Sequence, residues 1–147
     1  MQREAMGGIL TAMVLMASSC APNANQLYEQ GVQALRQGRP QEAVAKLNEV
    51  IRLRRDYLEA YEQRGIAYLK LGEYREAVQD LTKALEGKPD DPVLLRHRAI
   101  AYFGMGKPNE GNADLCRAAD ITKDAKVQAN CAARQQADQE TPGESPG

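Results

Sequence analysis

Small and apolar residues recur along this chain at a fixed interval of 34 residues. Five columns of such residues stay in register over three successive copies of the interval. The columns are Gly31, Gly65 and Ala99; Gly38, Gly72 and Gly106; Ala43, Ala77 and Gly111; Leu47, Leu81 and Leu115; and Val50, Ala84 and Ala118. Agreement of this kind is far beyond coincidence and is typical of repeat proteins. The sequence therefore predicts three copies of one structural unit.

Each unit is predicted to be a pair of α-helices that cross closely. Residues without bulk let helices approach, and the columns headed by Gly31 and Ala43 supply one to each helix of the pair. The column headed by Gly38 lies at the turn, because glycine takes the left-handed conformation at a helix end at little cost. Three prolines stand at helix starts, where proline is favoured: Pro40, Pro92 and Pro108. The predicted helices are residues 25–37, 41–54, 58–71, 74–86, 92–105 and 108–120.

These positions resemble the tetratricopeptide repeat (TPR). The pattern begins with a large residue in each unit, namely Leu27, Tyr61 and Leu95. A small residue follows four positions later, and then come Ala34, Tyr68 and Tyr102. The closing proline of the family survives only as Pro89, with Arg55 and Lys123 at the equivalent places. The resemblance implies an all-α fold, a right-handed α-solenoid of three TPR units at 24–57, 58–91 and 92–125.

A further helix is expected to cover the open end of the third repeat, because a solenoid needs its terminal faces protected. Residues 126–137 are predicted to form this capping helix. Its expected apolar face is small: Ala125, Val127, Ala129, Ala132 and Ala133. Residues 138–147 contain nothing able to build a core, so a disordered tail is expected there.

The first 20 residues are typical of a targeting segment rather than of a fold. The apolar run from Met6 to Ala17 would span about 18 Å as a helix, short of the roughly 30 Å hydrocarbon core. Residues 17–20, Ala-Ser-Ser-Cys, resemble the lipobox of bacterial lipoproteins, which implies lipidation of Cys20 and a tether at 21–23. Ala21 after that cysteine resembles outer-membrane sorting. The alternative is an ordinary cleaved signal or an apolar leader, with Cys20 incidental.

The other two cysteines, Cys116 and Cys131, are the only pair left if Cys20 is lipidated. An exported protein is expected to oxidise such a pair where geometry allows, which would pin the capping helix. The alternative is two free thiols that pack as small hydrophobic groups.

Two repeats share a charge pattern that the first repeat lacks. Arg64 is followed sixteen residues later by Asp80, and Arg98 by Asp114, whereas the first repeat has Gln30 and Lys46 at those places. Because both members change together, we expect partly buried ion pairs between the two helices of a repeat. The alternative is solvated charges on separate faces.

Composition excludes several classes of function. With 19 basic and 20 acidic residues, the net charge of −1 does not favour nucleic acid as a partner. His97, the single histidine, has no Cys or Ser in a recognisable nucleophile motif beside it, and the chain has no phosphate loop or metal-ligand spacing. The sequence therefore predicts a non-enzymatic protein without cofactor, metal or small-molecule substrate.

TPR arrays use a concave surface, lined mainly by the first helix of each repeat, to hold an extended peptide or a partner helix. Carried over by position, the resemblance assigns twelve residues to this surface: Asn25, Tyr28, Glu29, Val32, Glu59, Glu62, Gln63, Ile66, Val93, Arg96, His97 and Ile100. The family's clamp for a chaperone C-terminus would need basic or amide side chains at five of these positions, and only Gln63 comes near. The sequence thus disfavours that clamp, and each groove residue is otherwise open to being an ordinary surface position.

The leader and the repeats together predict an adaptor of the bacterial TPR lipoprotein type. Its partner would be another protein, and its membrane contact a lipid anchor on the outer membrane facing the periplasm. Such adaptors serve pilus assembly, secretion or cell-wall machinery. The alternative is a structural module that stacks with itself or a neighbour and is soluble in the periplasm after ordinary signal cleavage.

Overall fold

The computed structural model describes residues 22–140, with side chains as far as residue 133. Within this range the chain forms α-helices and no β-strand: α1 (Ala24–Arg36), α2 (Pro40–Leu53), α3 (Leu58–Leu71), α4 (Tyr74–Leu85), α5 (Pro92–Gly104), α6 (Pro108–Thr122) and α7 (Ala125–Glu140). The six predicted repeat helices are confirmed, since each end lies within two residues of the observed one. The predicted signal segment 1–20, with Cys20, and residues 141–147 lie outside the described residues.

The helices stack in chain order as an α-solenoid. Three hairpins form, α1 with α2, α3 with α4 and α5 with α6, and each second helix also packs against the first helix of the next hairpin. The first helices touch one another, α1 with α3 and α3 with α5, whereas no such contact joins α2 to α4 or α4 to α6. Because α1, α3 and α5 are drawn together, they line the concave side of the described array.

Close helix crossing inside each hairpin depends on the small residues of the repeat. A Cβ atom added to Gly31 would lie 2.8 Å from Leu47 Cγ, and one added to Gly65 would lie 2.9 Å from Leu81 Cγ. In the third hairpin Ala99 takes the place of the first-helix glycine, and the second helix carries Gly111, where an added Cβ would lie 2.9 Å from the Phe103 ring. Leu47 and Leu81 are fully buried as a result.

The helix ends follow the predicted turn and start residues, and Asn23 is an additional cap that was not predicted. The three turn glycines, Gly38, Gly72 and Gly106, adopt φ angles of 71°, 77° and 69°, as expected. Asp91 accepts hydrogen bonds from the backbone N–H groups of Val93 and Leu94 and caps α5. Asn23, which the sequence placed in the tether, forms a capping box with Gln26 and starts α1.

The two predicted ion pairs are confirmed, and each extends to a third helix. Arg64 donates from Nε and Nη2 to the carboxylate of Asp80, both at 2.7 Å, and from Nη1 to Asn48 Oδ1 at 2.6 Å. Arg98 makes the same bidentate contact with Asp114 and reaches Thr82 Oγ1 at 3.1 Å. Each arginine therefore links its own hairpin to the preceding one.

The terminal helix differs from the prediction in extent and in packing. α7 continues to Glu140, although disorder was expected from residue 138. The reason is that residues 137–140 contain good helix formers and the first helix breaker is Pro142. Of the expected apolar face only Val127 is half-buried, while the four alanines stay exposed. α7 contacts α6 but not α5, so within the described residues it covers only part of the end of the solenoid.

Candidate partner-binding groove

The twelve residues predicted for the groove lie on α1, α3 and α5, the helices of the concave side. Each of them is at least partly accessible to solvent. Residues four apart share a helix face. This spacing places Tyr28 with Val32 on α1, Glu62 with Ile66 on α3, and Arg96 with Ile100 on α5.

The centre of the groove is acidic and aromatic. The rings of Tyr28 and Tyr57 pack with their centroids 5.2 Å apart. Burial raises the pKa of the Tyr28 hydroxyl, and the nearby carboxylates of Glu62, Glu59 and Glu29 raise it further. Tyr28 therefore stays protonated as a hydrogen-bond donor in a negative field, because a phenolate would be both desolvated and repelled.

His97 stands beside this centre on α5. Its Nδ1 atom is buried and has no hydrogen-bond partner among the described residues. Burial lowers the pKa of the imidazole, while Glu62 acts in the opposite direction. His97 is therefore neutral near pH 7, and it adds no positive charge to the third repeat there.

A row of apolar residues lies one helical turn after Tyr28, Glu62 and Arg96. Its members, Val32, Ile66 and Ile100, are spaced by the repeat period and lie on successive first helices. Ile100 is 52% exposed and Val93, on the same helix, is 47% exposed. Exposed aliphatic side chains of this size are the kind that a partner's side chains can cover.

Three residues near the groove were not predicted from the sequence. Tyr57 precedes α3 and packs on Tyr28, Lys88 reaches Glu62 at 3.4 Å from the loop before α5, and the Arg54 guanidinium lies 4.7 Å from the Tyr57 ring centre. All three lie at or beyond a helix end. They were missed because the repeat period reports helix faces, and only the three-dimensional fold brings the connecting segments over them.

A second accessible site lies at the other end of the solenoid. Cys116 and Cys131 form a disulfide bond that joins α6 to α7 across fifteen residues, in the pairing expected for an exported chain. Beside it is a pocket of about 380 Å³ lined by Phe103, Leu115 and Val127 together with the disulfide. The pocket lies between α5 and α7, which do not pack against each other.

The described residues carry neither a membrane-spanning helix nor a cluster suited to a metal. No helix between residues 22 and 140 combines the length and the apolar character needed to cross a bilayer. Among the side chains described, those of residues 22–133, no three His, Cys, Asp or Glu residues converge as metal ligands would.

Helical hairpins stacked in chain order, with an accessible inner face, define an α-solenoid. The tetratricopeptide repeat family model matches residues 28–92. The chain has the all-α TPR fold. That fold generally mediates protein interactions rather than catalysis.

Solved TPR structures share this architecture. A MamA protein structure superimposes with a TM-score of 0.63 and 27% identity, covering 71% of this chain and 57% of MamA. Residues 41 to the end of MamA from Desulfovibrio magneticus RS-1 give a TM-score of 0.67 and 20% identity, covering 82% of this chain and 78% of that one. The chain thus spans little more than half of the first of these structures.

A third structure was solved with a ligand. The second TPR of Spaghetti (RPAP3), bound to the HSP90 peptide SRMEEVD, gives a TM-score of 0.64 and 23% identity, covering 67% of this chain and 92% of that one. At this identity the likeness concerns the fold alone. No curated protein sequence matches the chain.

Proposed function

We propose that this protein is a non-enzymatic adaptor that holds a segment of another protein in the groove formed by α1, α3 and α5. The observation that carries the proposal is the accessible apolar surface of those helices, where Ile100 is 52% exposed, Val93 is 47% exposed, and Val32 and Ile66 are half-buried. The peptide bound to the similar TPR of Spaghetti supports a peptide or helix as the occupant.

A matched pair of variants tests the groove. Ile100 on α5 and Leu53 on α2 are both 52% exposed, so a charge placed at either position disturbs the core equally little. Ile100→Glu changes the concave side, whereas Leu53→Glu changes the last residue of α2, which is not one of the twelve groove residues. We expect membrane-derived partners captured by the wild type to be lost with Ile100→Glu and kept with Leu53→Glu. Equal recovery by both variants would exclude the groove.

We also propose that the adaptor works in a bacterial cell envelope, anchored through a lipidated Cys20 on the periplasmic side of the outer membrane. The support is the lipobox-like sequence at residues 17–20 and the small residue after it. Several acyl chains anchor a protein stably, since each buried methylene contributes about 0.8 kcal/mol. A short tether would then keep the groove close to the bilayer, where it positions another envelope protein for pilus, secretion or cell-wall machinery.

Intact-mass analysis of the protein recovered from its native membrane tests the anchor. The expected result is loss of residues 1–19 and added acyl mass on Cys20, both abolished in Cys20→Ser. A mature mass without acyl groups would support the soluble periplasmic alternative. The groove proposal is tested separately and does not depend on this outcome.

A further inference from the structure

The twelve groove residues carry more negative than positive charge. Glu29, Glu59 and Glu62 lie on α1 and α3, and Arg96 on α5 is the one Lys or Arg among the twelve groove residues. Glu29 and Glu59 are exposed and form no salt bridge within the described residues, although Glu29 shares a surface depression with Arg39 and Lys46. Glu59 and Glu62 lie three residues apart on α3 and so share a face of that helix, and Glu29 directly follows Tyr28 on α1.

Two cations near the groove carboxylates, Lys88 and Arg54, are already engaged. Lys88 lies 3.4 Å from Glu62 with half of its side chain exposed. Arg54 lies 4.0 Å from Asp56 and over the Tyr57 ring. The contact between Lys88 and Glu62 is long, and an ion pair of this kind is weak. It therefore neutralises little of the negative charge of these carboxylates.

The apolar row runs directly beside these carboxylates. Ile66 lies one helical turn after Glu62 on α3, and Val32 lies one turn after Tyr28 on α1. The row continues to the third repeat as Ile100, whose side chain is 52% exposed. A ligand that follows the groove therefore meets carboxylates on one side and aliphatic side chains on the other.

We infer that the segment held in the groove is a cationic, amphipathic stretch of a partner protein, with Lys or Arg over the first two repeats and aliphatic side chains along Val32, Ile66 and Ile100. The inference rests on the proposed function and specifies its partner. Tyr28 and Tyr57 supply an aromatic surface for the cation, and the carboxylates supply its counter-charge. A carboxylate-terminated or acidic peptide meets repulsion over the same two repeats, and the neutral His97 does not offset it.

Selection from a random library of 15-residue peptides on the full-length protein tests this chemistry. The selected peptides are then titrated against the wild type, Glu59→Gln/Glu62→Gln, Ile100→Glu and the control Glu49→Gln. Glu49 is an exposed carboxylate on α2, outside the groove. Circular dichroism and thermal melting verify that all the variants fold.

The expected result is enrichment of Lys- and Arg-containing peptides with aliphatic residues. Their affinity should fall about three- to tenfold in Glu59→Gln/Glu62→Gln and with added salt, and stay unchanged in Glu49→Gln. Neutral or acidic peptides that bind the wild type but not Ile100→Glu would overturn the cationic partner and leave the groove function intact. Peptides insensitive to Ile100→Glu, or no enrichment at all, would overturn both.

Discussion

Arg64 shows how single residues join the repeats. It binds Asp80 on the second helix of its own hairpin and Asn48 on the hairpin before, and its guanidinium lies 5.4 Å from the Tyr61 ring centre. Burial raises the pKa of the Asp80 carboxyl although Arg64 acts to lower it. The pair is therefore partly desolvated. Replacing only one of its two residues lowers the stability of the fold, because the remaining charge is left without a partner.

A set of variants tests the cost of desolvation at this pair. Asp80→Ala should reduce the free energy of unfolding by about 2–3 kcal/mol, since Arg64 loses its bidentate partner. The double variant Arg64→Met/Asp80→Leu should lose less than Asp80→Ala alone, because the apolar pair needs no compensation. The control is the exposed pair of Arg117 and Asp90, also 2.7 Å apart, where Asp90→Ala should cost less than about 0.5 kcal/mol. Urea unfolding measures all of them. A double variant worse than Asp80→Ala would show that the ion pair is net stabilising.

The half-buried imidazole of His97 predicts a pH dependence of stability. Burial holds its folded-state pKa below the model-peptide value of about 6.5, against the opposing effect of Glu62. The unfolded chain therefore binds the proton first as the pH falls. The contribution of neutral His97 to the free energy of unfolding is fully present above the pKa of histidine in the unfolded chain. It is lost as the pH falls from that value through the lower pKa of the folded state.

The expected outcome is a lower free energy of unfolding at pH 5.5 than at pH 7.5, with a smaller difference in His97→Gln. Urea titrations at the two pH values measure this difference. Identical pH slopes for the wild type and His97→Gln would show that the imidazole takes up its proton equally well in both states.

At the scale of elements, α7 is attached differently from the six repeat helices. Its neighbour α6 is its single helix contact in the described range, and of its expected apolar face only Val127 is half-buried. Asp124 caps its first turn by accepting from the backbone N–H groups of Lys126 and Val127. The disulfide with Cys116 is thus the main restraint on its position.

Replacing Cys131 by Ser should undock α7 without unfolding the repeats. Closure of a loop of fifteen residues is worth about 3 kcal/mol in the chain-entropy description, whereas the hydrogen bond from Gln128 Nε2 to Asp120 Oδ1 and the half-buried Val127 hold the helix weakly. Amide exchange should accelerate in residues 125–133 and stay unchanged in α1 to α5, and reductant should have the same effect on the wild type. Unchanged protection of α7 in Cys131→Ser would mean that packing on α6 suffices to dock it.

At the scale of the whole molecule, the solenoid is nearly one-dimensional. Each helix packs against its chain neighbours, and on the concave side α1 also packs against α3 and α3 against α5. α3 and α4 have a hairpin on both sides, whereas α1 begins the described array. Stability in such an array is the sum of repeat and nearest-neighbour terms, so the ends open more easily than the centre.

Native-state hydrogen exchange should therefore give the largest opening free energies in α3 and α4 and smaller ones in α1 and α6. A gradient from the centre outwards is expected even when every helix has similar propensity, because the number of packed neighbours decides. Equal protection from α1 to α6 would show instead that the three hairpins open as one cooperative unit.

The sequence by itself determined the helices, the turns and the close crossings, because these depend on residues whose effect is local and periodic. Gly72 at the end of α3 and Gly65 facing Leu81 were both predicted from the period. The same reasoning found the partners of Arg64 and Arg98 inside their own repeats, since both members of each pair change together between repeats.

Only the tertiary structure decided which loops and helix ends contact the groove helices and where α7 lies. It brought Tyr57 onto Tyr28 and Lys88 to Glu62, and it placed the Tyr74 ring against Gly104, where an added Cβ would lie 2.6 Å from the ring. It also left α7 clear of α5 and so opened a pocket beside the disulfide. These contacts join helix ends and loops to distant helices, and a period of 34 residues carries no information about the angle at which one hairpin meets the next.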